Sequence, residues 1–85
     1  MRVQGIITEV RPTEFVADVY EFPNAEPQPI LFKTFGKNQQ RITVQAQQYM
    51  DRKHEVGIDF NIFGNAKDGK HFNPSLRCWS LTLIA

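Results

Sequence analysis

Val56-Gly57-Ile58-Asp59-Phe60-Asn61-Ile62 alternates without a break, apolar at even positions and small or polar at odd ones. A period of two is the mark of a half-buried β-strand. Side chains on a strand alternate between its two faces, so Val56, Ile58, Phe60 and Ile62 are expected to face a core and Gly57, Asp59, Asn61 and Phe63 to face outward. Gly57, with no side chain, lets a ligand or another backbone come close. Asp59 is expected to pair with Lys33 or Arg77 across the sheet.

Working outward toward the C-terminus, Lys67-Asp68-Gly69-Lys70 supplies an Asp-Gly turn of the kind that closes hairpins. A further strand is expected over 76–84. Toward the N-terminus, Ile42, Ala46, Tyr49 and Met50 recur at helical spacing, so 39–52 is expected to form one short helix, with Thr43 and Val44 running against it. Before it lies a strand over 30–35, stopped by Gly36-Lys37-Asn38. The stretch from Pro23 to Pro29 holds three prolines and reads as a stiff irregular loop. Two β-rich segments, 3–10 and 14–22, meet at the turn Arg11-Pro12-Thr13.

The order strand, strand, strand, helix, strand, strand describes a mostly-β fold, a five-stranded OB-type barrel with its helix between the third and fourth strands. An SH3-like barrel is the rival, and it does not normally place a helix of this length there. The 85 residues leave room for a single domain spanning 1–85. A domain this small buries only about 60% of its unfolded surface. One cysteine, Cys78, permits no intramolecular disulfide. Stability is therefore expected from a core drawn from seven Phe, two Tyr and one Trp, or from association with a second copy.

An unpaired thiol suits a reducing compartment, and Met1-Arg2-Val3-Gln4-Gly5 has no apolar run of a signal peptide. With no segment long enough to span a bilayer, a cytoplasmic location and no membrane partner are expected. No cofactor or metal is expected either: His54 and His71 are the only histidines, with no spacing suited to a metal. Cys78, flanked by Arg77 and Trp79 in a strand, reads as a buried structural thiol, and no enzyme activity is expected. The formal net charge of +1 neither supports nor excludes a nucleic-acid partner, so that question rests on where charges and rings sit.

At Phe35-Gly36-Lys37 the chain resembles the bacterial type of single-stranded-DNA-binding protein. There, too, a strand ends in an aromatic residue before a Gly-Lys pair, a helix follows, and a strand of alternating Val and Ile comes next. The resemblance covers roughly Phe32 to Trp79. Over most of its length the chain is also similar to a family of short bacterial and phage OB-type proteins of unassigned function, whose last strand carries an Arg-small-Trp triplet like Arg77-Cys78-Trp79. The resemblance implies that Phe35 is a stacking aromatic. It implies no recruitment through a long acidic tail, since this chain stops at Ala85.

The residues themselves point the same way. If Ile30, Phe32 and Thr34 face inward, then Leu31, Lys33 and Phe35 face outward, and an exposed ring beside an ammonium suits a base and its phosphate. Phe63 on the fourth strand is a second platform or a barrel cap. On the second strand Phe15, Ala17 and Val19 read as core, leaving Tyr20 and Phe22 as exposed rings. Lys37, the hairpin lysines Lys67 and Lys70, and Arg77 add positive charge. Arg77 and Trp79 fall on one face of the last strand: either both join the binding surface, or Trp79 packs inside with Arg77 capping it, and Trp79 is expected to be mostly packing. The leading expectation is sequence-tolerant binding of single-stranded nucleic acid, DNA before RNA, by a homo-oligomer (a dimer or higher). The alternative is a protein-interaction or oligomerisation module, because exposed Leu31, Phe35, Tyr20 and Phe22 would also make an apolar interface.

Overall fold

The computed structural model describes residues 1–20, 26–63 and 75–84. In chain order these form β1 (Arg2–Val10), β2 (Glu14–Tyr20), β3 (Gln28–Lys33), a 3-10 turn (Gly36–Asn38), α1 (Gln39–Asp51), β4 (Glu55–Phe63) and β5 (Ser75–Leu83). The strands close into a barrel in the order β1-β2-β3-β5-β4. The five-stranded barrel with one short helix between the third and fourth strands is thus the fold expected from the sequence.

Closure depends on β1 serving two ladders. Its residues 2–6 pair antiparallel with β4 and its residues 4–10 with β2. Gly5 belongs to both, opposite Val19 on one side and Val56 on the other. A Cβ at Gly5 would run into the Asp18 carbonyl oxygen, so the close approach of β2 requires glycine there. On the far side β3 meets β5 in a parallel pairing, with Lys33 opposite Arg77.

The core follows the alternation. Phe15, Ala17 and Val19 from β2, Phe32 from β3, and Val56, Ile58 and Phe60 from β4 are buried. Phe32 links the sheet sides, stacked on Phe15 at 5.4 Å and edge-on to Phe60 at 5.4 Å. Such offset and T-shaped contacts suit the quadrupoles of the rings. One end of the core is covered by α1, whose Ile42 and Ala46 are buried and whose Tyr49 and Met50 pack against the cluster. Thr43, unfavourable to the helix by sequence, donates its hydroxyl to the carbonyls of Gln39 and Gln40, both at 3.0 Å. Val44 is left facing solvent.

The helix ends without a glycine. Lys53 takes the left-handed conformation, φ 53°. Its N–H donates to Met50 O at 3.1 Å, while the His54 N–H donates to Tyr49 O at 3.0 Å. These two bonds form a Schellman motif, which satisfies carbonyls that the helix end would leave unpaired.

Two expectations fail. Pro29 is not in an irregular loop but inside β3, opposite Asp18 of β2. At that point β3 borders only β2, and a strand with one neighbour tolerates a missing N–H. Ile62 does not face the core but is exposed. Here β4 and β5 continue as a pair, and of the two register partners it is Leu76, not Ile62, that packs against the core.

Candidate functional site

The site is built where β3 ends and β5 begins. Thr34, buried just after β3, donates both its N–H and its hydroxyl to the Thr13 carbonyl, at 3.0 and 2.8 Å. Its own carbonyl accepts from the Gln39 side-chain amide at 2.8 Å. Held on both sides, the chain then delivers Phe35 to the surface, 51% exposed. Gly36 follows with φ 74°, a conformation that side chains resist, and turns the chain into Lys37, Asn38 and the helix.

The opposite wall comes from the β4–β5 pair. Asp59 lies opposite Ser80 and Phe60 opposite Cys78, so Trp79 is an extra residue with no partner on β4. This is a β-bulge, a device that re-aims a side chain without dismantling the ladder. Cys78 points inward and is buried, while Trp79 is 52% exposed. The expectation that Trp79 packs inside is therefore overturned: next to the inward Cys78, alternation turns Trp79 outward, and the bulge then restores Leu81 to the interior. Phe63, at the end of β4, is also exposed.

Between these walls the Arg77 guanidinium carbon lies 4.2 Å from the centroid of the Phe35 ring and 4.2 Å from that of Phe63. Cation–π contacts at this distance hold the arginine and both rings together. The cleft they line, with Trp79, has a volume of about 230 Å³; Asn38 and Asn61 give it a polar edge, and Ile42 and Cys78 an apolar floor. Lys33, exposed, is the neighbour of Arg77 across the β3–β5 pairing. Lys37 is exposed in the turn just after Phe35. Among the described residues neither lysine is in a salt bridge. Such a surface can stack planar rings, meet an anion, and hydrogen-bond the edge of a heterocycle through two amides.

The other expected residues fall elsewhere. Asp59 pairs with neither Lys33 nor Arg77; its Oδ1 lies 3.5 Å from Arg2 Nε, because β1 and not β3 borders β4. The Arg2 guanidinium lies over Gly57, close to where a Cβ would sit, so it is this side chain that uses the space at Gly57. Tyr20 is exposed but stands at the far end of β2 from Glu14, the residue opposite Lys33, at a distance along the strand of about 20 Å. Phe22, Lys67 and Lys70 lie outside the described residues, as does the remainder of the hairpin that carries the two lysines.

Asn38, Asn61 and Trp79 were not singled out from the sequence as site residues. For Asn61 the outward alternation is a usable signal, and for Trp79 it is the face shared with Arg77, opposite to that of the inward Cys78. Burial pushes the Cys78 thiol up from its ordinary 9.0 to about 12, a hydrogen bond with the Ser80 backbone opposing the rise and the nearby Asp59 carboxylate adding to it. The floor of the cleft is thus a neutral thiol, poorly suited to nucleophilic work. Among the described residues no group of three His, Cys, Asp or Glu side chains is placed to hold a metal ion. No helix among them is long and apolar enough to cross a membrane. No family model, curated protein or solved structure matches the chain.

Proposed function

We propose that the protein binds single-stranded nucleic acid, DNA first, without strong sequence preference. The observation that carries this is the cluster of Phe35, Phe63 and Trp79 around Arg77, three exposed rings and a cation in one cleft, with Lys33 and Lys37 beside it. Every base has a π-face, so stacking on such rings tolerates any sequence, and each stacked base contributes about 1–3 kcal/mol. The lysines meet phosphates. The strand order and the position of the helix agree with an OB-type barrel, a fold that binds oligonucleotides across strands two and three and under the loop between strands four and five; the cleft adjoins that region, at the end of the third strand. Lys67 and Lys70 belong to that last loop. The similarity of Phe35-Gly36-Lys37 to the bacterial single-stranded-DNA-binding proteins supports the same reading.

The test is fluorescence anisotropy with labelled oligothymidine, alongside quenching of Trp79, the single tryptophan. Binding should weaken with salt on a shallow slope, since few cations line the cleft. Phe35→Ala and Phe63→Ala should each lose about 1–3 kcal/mol of binding. Full-strength binding by the Phe35→Ala, Phe63→Ala double variant would sink the assignment.

A second reading has its own observation. Leu31 and Tyr20 are exposed on the outer face of β2 and β3, away from the cleft, with Val16 opposite Leu31. These apolar side chains, with Asp18 between Val16 and Tyr20, suit self-association. Light scattering in the absence of nucleic acid, on wild type and on Leu31→Lys, separates the two surfaces.

A further inference from the structure

Arg77 differs from Lys33 and Lys37 in that its head group is already engaged. Its guanidinium carbon stands 4.2 Å from both ring centroids, so the centroids are no farther apart than twice that distance. Phe35 is 51% and Phe63 44% exposed, so each keeps open surface beyond its contact with Arg77. The Nε of Arg77 is buried and has no hydrogen-bond partner among the described residues. That atom is closed to a phosphate oxygen while the rings hold the group.

We infer that Arg77 is a positioning residue, the middle layer of a stack that fixes Phe35 and Phe63 so that each turns its outer face to an unpaired base. This deepens the reading of the cleft as a single-strand site and rests on it. The site then takes two bases, one on each outer face, rather than one base between the rings. Arginine suits the middle layer because its guanidinium is planar, weakly hydrated and stacks on aromatic faces; a lysine ammonium carries the same charge but forms no layer. Phosphate contact falls to Lys33 and Lys37.

The test compares wild type with Arg77→Lys, Arg77→Gln and Lys33→Gln, each checked for folding by circular dichroism, in oligothymidine titrations at several salt concentrations. A positioning role predicts that Arg77→Lys and Arg77→Gln weaken binding equally, about tenfold each, with the salt slope of wild type. Lys33→Gln, in contrast, should reduce the slope by about 0.7, the value for one phosphate contact on a single strand. If Arg77→Lys keeps wild-type affinity and Arg77→Gln loses slope as Lys33→Gln does, Arg77 is a phosphate contact and the positioning role is overturned while the binding site stands. If wild type binds no oligothymidine, the functional reading falls and this inference with it. A second measurement needs no variant. The upfield ring-current shift of the Arg77 side-chain protons should persist in wild type saturated with oligothymidine, and its loss would mean that a base has replaced the guanidinium.

Discussion

Lys33 and Arg77 are register partners in the parallel pairing that closes the barrel, so the seam between β3 and β5 is made by two cations side by side. Like charges directly opposite one another destabilise a sheet by about 0.2–1 kcal/mol. An anion bound at Lys33 lessens that repulsion. Lys33→Gln should therefore stabilise the free protein by about 0.2–1 kcal/mol in denaturant while weakening oligothymidine binding. A variant that loses both stability and binding would show that the repulsion is already offset elsewhere.

Cys78 ties stability to alkaline pH. The folded thiol titrates near 12 and the unfolded one near 9.0. Its contribution is fully present below pH 9 and is lost as the pH rises toward 12, because above pH 9 the unfolded chain sheds a proton that the folded chain keeps. The loss by the upper end is on the order of 4 kcal/mol. Thermal unfolding from pH 8 to 11 should show this fall, and show less of it in Cys78→Ala. A disulfide reagent at pH 8 should label the thiol slowly in the native protein and at once in denaturant.

Two glycines on neighbouring strands should respond differently to alanine. At Gly5 the added carbon meets the Asp18 carbonyl, which belongs to a ladder and cannot step aside. At Gly57 it meets the Arg2 side chain, 2.9 Å from Nε, which can swing into solvent. Gly5→Ala should cost about 2–3 kcal/mol, in the range of overpacked cores. Gly57→Ala should cost under about 1 kcal/mol, mostly the exposed Arg2–Asp59 pair. Equal midpoints in urea for the two variants would contradict this.

At the helix end, Lys53→Gly should raise stability by about 0.5–1 kcal/mol, since glycine adopts the left-handed conformation without a Cβ penalty. Urea unfolding measures it, and an unchanged midpoint would mean that lost chain entropy cancels the relief.

Much of this molecule was legible in its residues because alternation and burial coincide. Phe15, Ala17, Val19 and Phe32, expected inward from a period of two, are buried, and Tyr20, Leu31, Lys33 and Phe35, expected outward, are exposed. That is why alternation alone sufficed to place Lys33 and Phe35 on one surface. What escaped was set by tertiary closure. Asp59 could not be given its partner Arg2 without knowing that β1 doubles back onto β4. Ile62 continues its strand's alternation, yet it is its partner Leu76 that packs against the core while Ile62 stays exposed. Pro29 is forbidden in a strand only where both edges are paired, and the sequence does not say which edges are.

Trp79 has an evolutionary consequence of its own. With that residue removed, Phe60–Cys78, Asp59–Ser80 and Ile58–Leu81 would run on as an uninterrupted ladder, with Cys78 and Leu81 still inward. The fold has no need of the position. Loss of a single codon would unload one ring from the cleft and leave the barrel in phase, and gain of a single codon would load it again. The number of platforms on this surface is thus a trait that can change in one step without a new fold.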